Sequence, residues 1–398
     1  MQSDKMKKYK LMKVWQMILL DVLIFAIALS VFCYFHHIRE MWGVGISQEE
    51  QPKMTTLSMF TKPTQATQTL PPVVSKPGND DKVPGTDGTG NSNNTNGGAT
   101  EPITPPQIID QGDFGAKFAD KFLEEGQVQK TDNTYVSHDI NITYSRRTIQ
   151  YSSSRQVVYY YYDIYIRNIE NFYTVSTKNK TRQYLDKIEE YSKDIKDESG
   201  NSMYDSLPVL SMNGDLYKIN EWPLAVRNGA LYADQGYITA DIGVLYYDGT
   251  FEVVSMNNFD MNKIAAKGPY QIWHFGPGLL DGNGNTKGDK SDDYKTDGAT
   301  SNGIVGGGNP RAAIGYYEPG HYCFVVVDGR SSEMQNVTIP YLAKIMSGLG
   351  CKQAYNLDGG ASAQVKFNGV YQRKCDPKKD DQRKLDDIIC IGEVKKDN

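Results

Sequence analysis

Tyr355-Asn356-Leu357-Asp358-Gly359-Gly360-Ala361-Ser362 is the stretch from which the fold can be read. An apolar lead-in through Ala354, Tyr355 and Leu357 runs into an acid, two glycines and a small polar residue. Glycines lift the limits that a Cβ sets, so the chain can turn sharply and approach a ligand closely. An acid and an amide at the end of an apolar strand would be held on a rigid element facing a cleft. The competing reading is a tight turn in which Asp358 only bonds backbone amides. A second stretch bears on the choice. Asn309-Pro310-Arg311-Ala312-Ala313-Ile314-Gly315 is followed by Cys323-Phe324-Val325-Val326-Val327 and then by Asp328-Gly329-Arg330. The β-branched run has the pattern of a strand buried on both faces. Two buried strands thus end in Asp-Gly, and polar residues gathered at one end of a strand commonly build sites. Thr338 to Leu349 has helical spacing and stops at Gly350. It would carry the chain from one Asp-Gly strand to the other, a strand–helix–strand unit with both acids at carboxyl ends.

Working outward, Phe114, Phe118 and Phe122 space like one face of a short helix over Phe114–Leu123. Ile140, Ile142 and Tyr144 alternate as a strand, Val157–Ile166 reads as a second and Phe172–Val175 as a third. Arg182–Lys196 has a helical pattern, followed by an apolar strand from Leu207 that meets Asn213-Gly214-Asp215. Asn228-Gly229 and Asp248-Gly249 mark hairpins, which suffice to explain those residues without chemistry. Trp273-His274-Phe275-Gly276-Pro277 leads into a polar loop from Asp281 to Asn302. Its acids Asp281, Asp289, Asp292 and Asp293 lack the order of a calcium-binding loop.

The N-terminal part has a different character. Residues 1–13 carry five lysines against Asp4 and read as a basic cytoplasmic tail. Residues 14–35 are apolar and long enough to cross a bilayer as a helix. The lysine excess predicts a cytoplasmic N-terminus and an extracytoplasmic remainder. No small-x-small cleavage site follows the apolar run, which points to an uncleaved anchor in the cell membrane rather than a signal peptide. Asp21 lies within the span near its cytoplasmic edge, where hydration or a lysine satisfies it. Residues 36–110 form a low-complexity linker, and the extreme bias between Gln48 and Gln107 cannot bury enough apolar surface to order. Residues 111–398 are the folded domain.

The net charge of −5 argues against nucleic acid as a partner. Most of the 27 tyrosines lie beyond residue 130, as suits a β-rich extracellular domain. Of the cysteines, Cys323 and Cys351 read as packed thiols, while Cys375 and Cys390 flank a charged loop and a disulfide is one option for them. There is no zinc spacing, no Gly-x-Ser-x-Gly elbow and no phosphate-binding loop, so neither a metal nor a cofactor is implied.

Ser211-Met212-Asn213-Gly214-Asp215, His274-Phe275-Gly276-Pro277, Asn309 to Gly315, Val327 to Arg330 and Asn356 to Ser362 together resemble the phosphodiester glycosidase family in order and spacing, over roughly Ile140–Ile391. That family includes the uncovering enzyme, which removes N-acetylglucosamine from a sugar-phosphate diester, and bacterial proteins labelled exopolysaccharide-related. Ala361 stands where the family often has glycine or serine, and Leu216-Tyr217 where it usually has an aromatic pair. The resemblance implies an α+β fold, a mixed β-sheet core with flanking helices, and hydrolysis of a sugar-1-phosphodiester in a phosphorylated glycan or wall polymer.

Cleavage of a sugar–O–phosphoryl bond passes through an oxocarbenium-like state, commonly flanked by carboxylates. Asp358 or Asp328 would then activate water or attack the anomeric carbon, with His274 moving a proton. Arg311 and Arg330 suit the phosphate, since a guanidinium meets its oxygens with paired hydrogen bonds. The alternative for each arginine is a salt bridge to one of these aspartates. Asn213, Asp215, Asn356, Gly359, Gly360 and Ser362 complete the expected substrate contacts. Two other readings use the same fold without turnover: a binding module for phosphorylated envelope polysaccharide, and a structural envelope protein.

Overall fold

The computed structural model describes residues 114–177, 181–197, 199–215, 224–234, 238–294, 307–373 and 382–396. All lie in the second of two compact units, Thr56–Asn398. The expected basic tail, membrane helix 14–35 and linker fall outside the described residues. Among the described residues, no helix is long and apolar enough to cross a membrane.

The strands, in chain order, are β1 (Gln129–Lys130), β2 (Thr134–Val136), β3 (Ile140–Gln150), β4 (Gln156–Ile166), β5 (Phe172–Ser176), β6 (Leu210–Asn213), β7 (Leu224–Arg227), β8 (Ala230–Asp234), β9 (Ile242–Tyr246), β10 (Phe251–Val254), β11 (Pro269–His274), β12 (Arg311–Glu318), β13 (His321–Val327), β14 (Gln353–Asn356), β15 (Val365–Phe367), β16 (Val370–Arg373) and β17 (Asp387–Ile391). They form three sheets, ordered β1-β2-β3-β4-β13-β12-β14, β10-β9-β11-β7-β8 and β16-β15-β6-β17-β5.

The large sheet is the spine. Along β13 alternate side chains serve two cores, as the period of two in a strand requires. Tyr322, Phe324 and Val326 face the two smaller sheets. Cys323, Val325 and Val327 face Ile339, Leu342, Ala343 and Met346 of the helix Ile339–Gly348. Leu349 caps that helix, and Gly350 follows at φ 84, the left-handed stop that glycine adopts without strain.

The strand–helix–strand unit is present with one strand inserted. β13 and β14 both pair antiparallel with β12, from opposite sides, so they run the same way. Every pairing between the named strands is antiparallel, so the sheets are not, as expected, mixed in direction. The carboxyl ends of β13 and β14 and the start of β12 therefore lie along one sheet edge, with Arg311 opposite Val327 in register.

Elsewhere the expected helices are shorter than their patterns. Phe114–Leu123 yields a single turn, Phe114–Lys117, and a 3-10 turn, Ala119–Lys121. Arg182–Lys196 yields Leu185–Glu189 continued as 3-10 helix through Asp194. Both are too short to be held by their own hydrogen bonds and depend on packing against the sheets. Asn228 (φ 52) and Gly229 (φ 78) form the tight turn joining β7 to β8.

Candidate active site

Asp358 sits one residue beyond Leu357, whose amide still continues the β12 ladder by bonding Ala312 O at 2.9 Å. The loop then folds back: Gly360 N–H donates to Pro310 O at 2.8 Å, and Gly360 has φ 63. A Cβ on Gly359 would lie 2.7 Å from Pro310 O, so the close approach of this loop to β12 requires glycine there. The carboxylate accepts the Gly359 N–H at 2.8 Å and the Ser362 hydroxyl. Asp358 is partly exposed. Burial pushes its carboxyl up to about 6, against the opposing pull of Ser362, Gly359, Arg383 and Arg182.

Two further loops meet here. Asn213, at the end of β6, donates to Asp358 O at 2.7 Å and to Gly214 O at 3.2 Å. Its carbonyl accepts Gln364 N–H at 3.2 Å, so the Asn213 amide braces the loop rather than facing a sugar. Asp358 N–H bonds Gly214 O at 3.3 Å, and the next residue, Asp215, accepts His274 N–H at 2.6 Å. Asn356 donates to Gly276 O at 2.7 Å, tying in the loop after β11. The motifs containing Asn213, His274 and Asp358 thus form one bundle.

Arg311 and Arg330 differ in kind. Arg311 is 3% exposed, and its Nε and Nη2 donate to Val337 O (3.2 Å) and Gly307 O (2.6 Å). Burial lowers its guanidinium to about 10. Among the described residues no carboxylate pairs with it, so it supplies positive field from beneath the Gly359 turn. Arg330 is exposed, holds φ 63, and reaches to within 2.9 Å of where a Cβ on Gly360 would be. A left-handed non-glycine residue is a sparsely populated conformation that collects at functional sites. No carboxylate among the described residues pairs with Arg330 either. The salt bridges that competed with phosphate binding for these two arginines are absent among the described residues.

Asp328 and Asp215 are committed to buried cations. Asp328 accepts Arg373 Nε at 2.9 Å, Tyr160 Oη at 3.1 Å and Gly329 N–H at 2.8 Å, and is 4% exposed. Asp215 pairs with Arg227 at 2.5 Å, and Asp387 approaches the same Arg227 nitrogen at 3.3 Å. Arg227 lies in the hairpin to which sequence reasoning gave no chemistry. His274 Nε2 accepts Thr239 N–H at 3.1 Å, which leaves the hydrogen on Nδ1. Burial lowers the imidazole pKa, only partly offset by Asp215, so the ring is neutral at neutral pH.

Sequence reasoning missed Arg373, Arg227, Arg182, Arg383 and Tyr160. One signal was available. Asp386-Asp387 stands directly before the apolar run Ile388–Ile391, an acid pair at the start of a buried strand. The acids of the 281–294 loop serve local ends: Asp281 caps its own turn, and Asp289 pairs with Lys344 at 2.9 Å. Cys390 is a free, buried thiol, and Cys375, its suggested partner, lies outside the described residues.

Residues 208–392 match the family model for phosphodiester glycosidase. This segment belongs to the phosphodiester glycosidase family. The chain is also 30% identical over 151 residues to the SPbeta prophage-derived uncharacterized protein YomE of Bacillus subtilis (strain 168), covering 37% of this chain and 22% of that protein. The chain thus spans about a fifth of the curated relative's length. In fold it is similar to the catalytic domain of zebrafish N-acetylglucosamine-1-phosphodiester alpha-N-acetylglucosaminidase, auto-inhibited by its pro-peptide. That likeness has a TM-score of 0.50 and 16% identity over 67% of this chain and 88% of the other.

Proposed function

We propose that the chain hydrolyses the bond between a sugar's anomeric carbon and the bridging oxygen of a phosphodiester, in a surface or extracellular glycan. One observation carries the reading. A partly exposed carboxyl, held near 6 by burial, lies on a tight loop beside an exposed arginine that no carboxylate among the described residues neutralises. Membership of residues 208–392 in a glycosidase family supports it.

The departing phosphomonoester is a weak base, so balancing its charge matters more than protonating it. Arg330 would contact the phosphate oxygens over Gly360, while buried Arg311 favours the same anion through its field. Asp358, ionised above about pH 6, takes a proton from water as the water oxygen bonds to the anomeric carbon. The electron pair of the sugar–oxygen bond leaves with the phosphate. Ser362 and Gly359 hold the carboxylate in place. Asp328, with its oxygens taken by Arg373, Tyr160 and Gly329, positions the end of β13 and hence Arg330. The topology read from sequence completes the proposal: an anchor over residues 14–35, a spacer, and the domain outside the cell membrane.

The test is turnover of a sugar-1-phosphodiester reporter by the parental protein and by Asp358→Asn, with melting followed in parallel. Removal of a general base should cost at least about a hundredfold in turnover. A variant that melts normally and turns over at the parental rate would make Asp358 a turn residue only. Binding of the reporter without turnover by the parental protein would instead indicate a non-catalytic module.

A further inference from the structure

On the reading above, the scissile diester brings a single negative charge to Asp358, and Arg330 with Arg311 already answers it from the side of the large sheet. A second set of cations stands on the side of β5, β6 and β17. Gln183 and Leu385 exchange backbone hydrogen bonds of 2.9 and 2.7 Å, and Thr177 N–H bonds Asp386 O at 2.9 Å. This short strip sets Arg182 and Tyr184 beside Arg383 and Lys384. Arg182 pairs with Asp386 at 2.9 Å, while Lys384 Nζ lies 5.3 Å from the centre of the Tyr184 ring, which is 43% exposed. Among the described residues, Arg383 and Lys384 thus add two cations beside the Arg182–Asp386 pair.

The strip is tied to the catalytic loop through Gln364. Its Nε2 donates to Arg383 O at 2.9 Å, and its backbone N–H donates to Asn213, whose amide holds Asp358 O at 2.7 Å. The fields of Arg383 and Arg182 both reach the Asp358 carboxyl. Asp358 thus lies between two cationic flanks contributed by different sheets.

We propose that the strip of Arg182, Tyr184, Arg383 and Lys384 is a second subsite, taking the neighbouring phosphate and sugar of a repeating sugar-phosphate polymer. The exposed Tyr184 face offers a platform for a sugar ring, with the cations beside it for the next phosphate. The substrate class is then a polyanionic glycosyl-phosphate chain rather than an isolated diester. This rests on the glycosidase reading for its catalytic half only.

The experiment compares a short synthetic glycosyl-phosphate oligomer with a single-diester reporter, for the parental protein and the variants Arg383→Gln and Lys384→Gln. The oligomer should have the higher kcat/KM, with a KM that rises more steeply with salt. Each variant should shrink the oligomer's advantage about tenfold, mainly through KM, as loss of one charged hydrogen bond does. If oligomer and reporter suffer equally, these residues serve the scissile phosphate and the second subsite is wrong. Should neither substrate be turned over, the glycosidase reading fails, and calorimetric binding to the parental protein still decides the subsite. Oligomer should then bind about tenfold tighter than reporter, an advantage that Arg383→Gln removes. Equal affinities would overturn the proposal.

Discussion

Asp358 is pulled in two directions, since burial favours its neutral form while Ser362, Gly359 and two guanidinium groups favour the charged one. Burial wins and the carboxyl titrates near 6, above the ordinary value of an unfolded aspartate, about 3.9. The stability this contributes is full below the unfolded value and is lost as pH rises through about 6. Asp358→Asn should therefore melt higher than the parental protein at pH 8, by at most about 3 kcal/mol, and equally at pH 3.5. Parental kcat/KM should rise with pH through the same region, an acid limb that the variant lacks. A melting difference independent of pH would show that burial does not control this carboxyl. Arg373→Ala strands the buried Asp328 charge, and chemical denaturation should show a loss of about 3–5 kcal/mol. A loss below about 1 kcal/mol would mean that the pair is solvated. At Arg330, glycine suits the φ of 63 better than arginine does. Arg330→Gly should hold or raise the melting temperature by relieving about 1 kcal/mol of strain, while turnover collapses. Loss of stability with full turnover would place Arg330 outside the site.

At the scale of elements, the crossover was legible because its signals are local. The apolar run Cys323–Val327, the helical spacing before Gly350 and the two Asp-Gly ends each read without knowledge of the fold. The insertion of β12 between β13 and β14 was not, since pairing order is set by contacts far apart in sequence. The network of Asp215, Arg227 and Asp387 escaped for the same reason. Its members lie on three separate strands or strand ends, and the Asn228-Gly229 turn was explanation enough for its neighbourhood. Arg311 was expected to touch phosphate, yet its place at the start of a doubly covered strand buries it. Packing in this layer is tight. A Cβ on Gly315 of β12 would come within 2.5 Å of Cys323 Sγ and 2.6 Å of Cys351 Sγ. Gly315→Ala should cost about 1–3 kcal/mol by overpacking, read from the denaturation midpoint. A neutral result would mean that the two thiols have room to move aside.

For the whole molecule, the composition of residues 48–107 argues that nothing there packs on the domain. Deleting that tract from the soluble protein should leave both melting temperature and reporter turnover unchanged. A substantial drop in either would mean that it contributes contacts. In intact cells the domain should be open to external protease while the N-terminus is shielded, and release of a soluble protein lacking residues 1–35 would instead establish a cleaved signal. In the proposed reaction the bond broken lies on the sugar side of the bridging oxygen. Hydrolysis of a sugar-1-phosphodiester in oxygen-18 water, with both products weighed by mass spectrometry, tests it most directly. Label is expected on the anomeric hydroxyl and none in the phosphomonoester; label in the phosphate would mean phosphoryl rather than glycosyl transfer and would overturn the proposed reaction.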